Sequence, residues 1–246
     1  MGTKIAWTDE TWNPVTGCTK ISPGCAHCYA ARMADRLKAM GCARYAKGFE
    51  VTVHEDVIDR PRSWKKPRMV FVNSMSDLFH EDVPFETIRK VFHVMNDLPM
   101  HTFQVLSKRE QRLAELAPQL KWTDNIWMGV TVEDNAHAYR ADVLRDIPAA
   151  VRFVSAEPLL GPLPDLSISV LDWLIVGGES GPGCRPMDAE WAEDLMYRAM
   201  EADVPFFFKQ WGGVHARKAP LIQGSIVQEW PLAKRSDAVH SRLGGQ

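Results

Sequence analysis

The sequence lacks any apolar run of the roughly 18 residues that a membrane-crossing helix needs. It also lacks a leader-like opening, because Trp7, Asp9, Glu10, Trp12 and Asn13 interrupt the first thirty residues. It has no excess of either charge: 29 Lys and Arg face 31 Asp and Glu, for a net charge of -2. That balance excludes a global basic field for gripping a phosphate backbone and leaves only local patches, such as Arg217 and Lys218. There is no internal repeat, no low-complexity tract, and neither a GxGxxG nor a GK[ST] phosphate loop. Cysteines number five, and an odd count with three crowded together does not make a disulfide framework. These absences predict a soluble cytoplasmic protein whose thiols serve metal or redox chemistry.

What is present is a series of short apolar runs separated by helix-like segments. Candidate strands lie at 69–73, 102–106, 126–132, 151–155, 172–178 and 205–210, with a short first strand around Trp12 to Thr16. They are rich in Val, Ile and Phe and mostly continuous rather than alternating, the pattern of parallel strands covered on both faces. Helices are expected at 26–40, closed by Gly41, and at 84–97, opened by Pro84. Others are expected at 108–117, 133–145 and 188–202. The β-α-β-α order over 246 residues predicts one α/β domain, a parallel (β/α) barrel either complete or incomplete, with a doubly wound sheet as the alternative. Residues 42–68 read as a surface excursion able to cover the barrel mouth. It would hold a short strand at 51–53 and a short helix near 58–64. A C-terminal extension begins near Val214.

Cys18, Cys25 and Cys28 stand in TGCTKISPGCAHCYA, spaced Cys-x6-Cys-x2-Cys. Three thiolates suit an iron–sulfur cluster or zinc. A closed zinc site needs a fourth ligand, for which Cys42 is the best candidate and His54 a weaker one.

The stretch CTKISPGCAHCY resembles the cluster-binding loop of radical S-adenosylmethionine enzymes, in a variant with a widened first gap. Thr3 to Ala30 is similar to the opening of a family of phage and bacterial proteins described as radical-SAM-like domains of unknown function. VNSMSDLFHEDVP, SAEPLLGP, VGGESGPGCRPM and PFFFKQWGG carry the resemblance along nearly the whole chain. The resemblance implies a radical-SAM barrel in which Cys18, Cys25 and Cys28 hold a [4Fe–4S] cluster whose fourth iron binds S-adenosyl-L-methionine. One electron from an external donor such as flavodoxin or ferredoxin would then release a 5'-deoxyadenosyl radical. His27, in the ring position before the last cysteine, would lie near the adenine.

Ligands bind at the C-terminal ends of strands in such folds. Polar residues recur there: Asn73, Ser74, Ser76 and Asp77; Ser107, Lys108 and Arg109; Thr131 and Glu133; Ser155 and Glu157; Glu179, Ser180, Cys184 and Arg185; Lys209, Gln210 and Trp211. By resemblance, Asp77 or its serine neighbours would take the cofactor's ammonium. The family often places Gly-Gly-Glu there, where this chain has Asn-Ser-Met-Ser-Asp. Lys108 or Arg109 can hold a carboxylate, and Thr131, Glu133 or Glu157 can accept from ribose hydroxyls. Glu179 joins these candidates from VGGESGPGCRP. In the same loop Cys184 is a candidate hydrogen-atom donor beside Arg185, and Arg185 and Lys209 can meet an anionic substrate. The plain alternative for each charge is a solvated helix start or a salt bridge.

Three functions compete. The first is a radical S-adenosylmethionine enzyme acting on a nucleoside, nucleotide or DNA. The second is a zinc-stabilised α/β binding or regulatory protein. The third is a barrel hydrolase using Asp77, Glu133 and Glu157.

Overall fold

The computed structural model describes residues 3, 5–214 and 220–231. The basic pair Arg217 and Lys218 lies outside the described residues. Seven parallel strands form one sheet in the order β1 (Glu10–Trp12), β4 (Met69–Val72), β5 (Thr102–Ser107), β6 (Ile126–Thr131), β7 (Val151–Ala156), β8 (Trp173–Gly177) and β9 (Phe206–Gln210). β1 and β9 end the sheet and do not pair with each other, so the barrel is incomplete; the outer side of β9 is bridged by residues 227–229. A two-stranded antiparallel pair, β2 (Val15–Thr16) with β3 (Thr52–Val53), flanks the β1 side. Another, β10 (Leu221–Ile222) with β11 (Ser225–Ile226), follows β9. Between them run the helices α1 (Tyr29–Ala39), α2 (Phe85–Asn96), α3 (Glu110–Leu116), α4 (Arg140–Val143) and α5 (Ala189–Glu201).

Alternate residues of each strand serve two cores. One set, including Val72, Val105, Val130, Val154, Val176 and Phe208, packs against the helices. The other set faces inward: Trp127, Phe153, Trp173, Ile175 and Phe207, joined by Trp7 from the N-terminal segment. Trp7 shows how strongly the sheet curls. Its ring lies 4.6 Å from Phe71 on β4 and 6.3 Å from Trp173 on β8. On a flat sheet those strands stand four spacings, about 19 Å, apart. Trp230 stacks on Trp173 at 5.0 Å and on Phe207 at 5.3 Å, completing an aromatic floor. The floor uses the N-terminal halves of the strands and leaves their C-terminal halves to form an upper rim.

Most helices fall where the sequence predicts them. Two differ for local reasons. The cysteine segment forms a 3-10 turn over Pro23–Cys25, so α1 starts only at Tyr29, one residue beyond Cys28. In 133–145, Asp134 is extended and holds Nδ1 of His137 at 2.6 Å. This opens a 3-10 turn, and regular helix survives only over Arg140–Val143. The 42–68 excursion has its expected short strand and a 3-10 helix at Arg60–Ser63. It runs along the β1 side, where Val57 O accepts from Trp12 Nε1 at 2.8 Å. No helix among the described residues is long and apolar enough to cross a membrane.

Candidate functional site

The three cysteines lie on the loop that joins β2 to α1, at the C-terminal ends of the strands. Gly17 starts this loop at φ +88°, and a side chain there would collide with Glu50 O at 2.1 Å, so glycine alone fits. Cys18, Cys25 and Cys28 are all half-buried free thiols. Burial, then the charge of Asp77, pushes the Cys18 thiol up to about 11, against the opposing pull of Arg109. Arg109 Nη2 lies 3.9 Å from its Sγ. Among the described residues no three His, Cys, Asp or Glu side chains converge as a metal-ligand group. Cys42 packs into the apolar cluster of Ala30, Ala34, Tyr45 and Met75, and His54 bonds Thr16 Oγ1 at 2.8 Å. Neither joins the three thiols as a fourth ligand. Three soft thiols on one loop are donors of the kind an iron–sulfur cluster takes.

Side chains from three other strand ends hold this loop. After β5, Arg109 donates to Thr19 O at 3.0 Å and Thr19 Oγ1 at 2.7 Å, and pairs with Glu81. After β6, Glu133 is fully buried. It accepts from Gly24 N at 3.3 Å and from Arg140 Nη1 at 2.9 Å. After β8, Arg185 donates from Nη1 to Pro23 O at 3.0 Å. Its remaining nitrogens grip Glu179, whose carboxylate also meets His27 Nδ1 at 3.0 Å. The Arg185 hydrogen bonds, aided by His27 and opposed by burial, hold the Glu179 carboxyl down at about 2. Arg32 on α1 reaches the same β8 loop, donating to Ser180 O and Pro182 O. The 178–187 loop is thereby clipped onto the cysteine loop at two points and onto α1 at two more.

Asp77 plays a similar part between strands. It accepts from Phe79 N, Ser107 Oγ and Lys108 N at 2.8–3.0 Å, which ties the end of β4 to the end of β5. Ser107 Oγ in turn accepts from Arg109 N. Ser76 Oγ donates to Gly17 O at 2.6 Å and Ser74 Oγ to Asn13 Oδ1 at 3.3 Å. Asn73 is buried with φ +62°; its Oδ1 accepts from Val15 N, while its buried Nδ2 has no partner. Thr131, at the end of β6, is buried, and its carbonyl accepts from Arg140. Cys184 is half-buried, with its N–H on Gly181 O. Glu157 and Lys209 form an ion pair with each other.

The structure thus brings His27, Glu179 and Arg185 together, and Asp77 together with Ser107 and Lys108 N. It directs Asp77, Glu133, Glu179 and Arg185 onto the protein's own groups. Sequence reasoning missed Arg140 and Arg32 as supports. Arg140 lies seven residues after Glu133 in a segment expected to be regular helix, so its inward turn had no pattern to reveal it.

The fold is similar to that of spore photoproduct lyase. One such structure, complexed with dinucleoside spore photoproduct, aligns at TM-score 0.55 and 11% identity over 87% of this chain and 79% of that one. A second, a mutant with bound AdoMet and dinucleoside spore photoproduct, aligns at TM-score 0.50 and 10% identity over 72% of this chain. There the match spans only 57% of that chain. At these identities the likeness shows the fold alone: an incomplete parallel (β/α) barrel like that of spore photoproduct lyase. No curated protein matches the sequence. The family described as "Protein of unknown function (DUF5131)" matches residues 2–243, and the chain belongs to it.

Proposed function

We propose that the protein is a radical S-adenosylmethionine enzyme acting on a nucleoside, nucleotide or DNA substrate. Cys18, Cys25 and Cys28 would hold a [4Fe–4S] cluster with one iron left for S-adenosylmethionine. When bound, these groups supply one-electron reductive cleavage of a C–S bond and a 5'-deoxyadenosyl radical, with the electron drawn from a flavodoxin- or ferredoxin-type donor.

The observation that carries this reading is the position and bracing of the cysteine loop. A loop with three soft donors lies at the C-terminal ends of a parallel barrel, where ligands bind. Arg109, Glu133 and Arg185, from three strand ends, fix its backbone. Such bracing holds donors in place before a ligand arrives. The loop's residues divide the work. Arg109 sets a cation beside Cys18 that partly offsets the burial and the Asp77 charge opposing its thiolate. His27 is oriented by Glu179 and keeps 38% of its side chain exposed, so its ring has a free face toward a bound nucleotide. Arg32 and Arg185 tie the β8 loop to α1 and to the cysteine loop.

Anaerobic reconstitution with iron and sulfide tests this. A brown protein that releases 5'-deoxyadenosine from S-adenosylmethionine and dithionite is expected. An intact cluster that cleaves no S-adenosylmethionine, with or without thymidine present, would overturn the proposal.

A further inference from the structure

The charged residues at the strand ends divide into two kinds. Asp77, Glu133 and Glu179 have both carboxylate oxygens engaged by the protein's own donors. Arg109, Arg140 and Arg185 also donate to the protein's own acceptors, although Nε of Arg109 and of Arg140 makes no hydrogen bond. Glu157 and Lys209 differ. Lys209 Nζ meets Glu157 Oε1, and among the described residues neither the second oxygen nor the other ammonium hydrogens have a partner. Each side chain nevertheless has only 20% of its surface exposed. Hydrogen-bonding capacity this enclosed and still free is what a ligand pocket provides.

The pair faces the concave side. Lys209 lies two residues beyond Phe207 on β9, and Gly177 two beyond Ile175 on β8. Both Phe207 and Ile175 belong to the inward core. Val176 pairs with Phe208 and Gly177 with Gln210, so Lys209 is the extra residue of a bulge and its direction is fixed by its contact with Gly177 and not by alternation. Gly177 stands between Glu157 and Lys209, with the position of an added Cβ 3.4 Å from Lys209 Cβ and 3.5 Å from Glu157 Cδ. The absent side chain lets the two meet across β8.

We infer that Glu157 and Lys209 form a substrate-binding pair for a neutral heterocycle whose edge carries an N–H beside a C=O, such as thymine or uracil. This inference rests on the proposed function and names the part of the substrate the chamber recognises. The free carboxylate oxygen accepts from the ring N–H, and the ammonium donates to the neighbouring carbonyl. The chemistry selects against charged groups, because the carboxylate repels a phosphate and the ammonium repels a cation. Glu157 thus serves the substrate and not the ribose of S-adenosylmethionine.

The test measures binding to the iron-loaded protein by calorimetry, using thymidine, N3-methylthymidine and S-adenosylmethionine in turn. Thymidine is expected to bind on the order of tenfold or more tightly than N3-methylthymidine, which cannot donate. Glu157→Gln and Lys209→Met should remove most of that preference and leave S-adenosylmethionine affinity within about twofold of the parent's. Three results overturn the inference: no thymidine binding, equal binding of thymidine and its methylated form, or loss of S-adenosylmethionine affinity in both variants. The first comparison needs no variant, so it stands even if a substituted chain misfolds. Failure of the proposed function has a separate signature, since the parent protein would then bind neither iron nor S-adenosylmethionine.

Discussion

The floor and the rim of the concave face come from the same strands, two residues apart, and their chemistry is opposite. The floor is six aromatic rings, Trp7, Trp127, Phe153, Trp173, Phe207 and Trp230, packed edge to face or tilted. The rim holds carboxylates, arginines, a lysine and the three thiols. β7 passes from Phe153 to Ser155 and Glu157, and β9 from Phe207 to Lys209. The regular pattern closes the barrel at its base and breaks at the top, where Glu157 lies past the end of β7 and Lys209 sits in a bulge of β9. The difference teaches that most rim charges are themselves structural. They stabilise a loop that the floor cannot reach, and only a minority stay free for ligands. Substitutions in the two regions should fail in different ways.

The largest effect belongs to the rim thiols. Cys28→Ala should abolish iron uptake on reconstitution, while Cys42→Ala should leave it unchanged, because Cys42 lies past the end of α1 and off the loop of residues 18–28, although both thiols touch the same apolar cluster. Iron per chain and visible absorption report this. Equal iron loss in both variants would erase the distinction between thiols that bind and thiols that pack.

Next come two losses of similar size in stability and different consequence. Trp173→Ala should cost about 3–5 kcal/mol, since it empties the centre of the floor. Glu133→Ala should cost about 3–5 kcal/mol, since it leaves Arg140 buried without its closest carboxylate and Gly24 N without an acceptor. Denaturant melts should show both. Among folded molecules, only Glu133→Ala should also weaken iron affinity, because Gly24 belongs to the cysteine loop. If Trp173→Ala weakened iron binding equally, floor and rim would be one unit.

The floor was largely legible in the sequence and the rim only in part. Continuous runs such as IWMGVTV and DWLIVGG announced parallel strands, and their order announced a barrel, because burial on both faces imprints composition directly. The number of strands short of closure was not legible, since nothing in a strand's own residues states whether its outer edge is paired. The cysteines and the polar strand ends were visible as residue types. Their roles were not, because a carboxylate committed to backbone N–H groups and one left open look identical in sequence. Asp77 and Glu157 both follow apolar strands. Only the fold shows Asp77 accepting three hydrogen bonds and Glu157 holding one oxygen free.

The smallest effects should come from pH, which also separates the rim from its surroundings. His54, His80 and His101 are buried, and burial pushes each imidazole below its ordinary value. At His80 the geometry agrees. Nδ1 accepts from Asp82 N at 3.1 Å, and protonation would break that bond; Arg109 opposes the proton, while Glu81, Asp82 and Asp77 only partly favour it. At His101, Trp64 and Phe103 pack against the ring and Arg68 opposes the charge. A folded-state value below the unfolded one means that the unfolded chain binds more protons. Stability from these groups is therefore complete above about pH 6.5 and falls as pH drops, by at most about 1.4 kcal/mol per pH unit for each proton taken up. Glu179 has the same sign in a lower window. Its carboxyl titrates at about 2 in the folded chain, so the clip on the cysteine loop should hold through pH 5 and weaken only as pH falls from about 4.5 toward 2. Urea melts between pH 8 and 5 should show the first decline, and His101→Gln should flatten part of it. Hydrogen exchange at Gly24, Cys184 and Arg185 should stay protected across that range and rise only in more acid solution. Loss of that protection already at pH 6 would show that the histidines, and not Glu179, govern the rim.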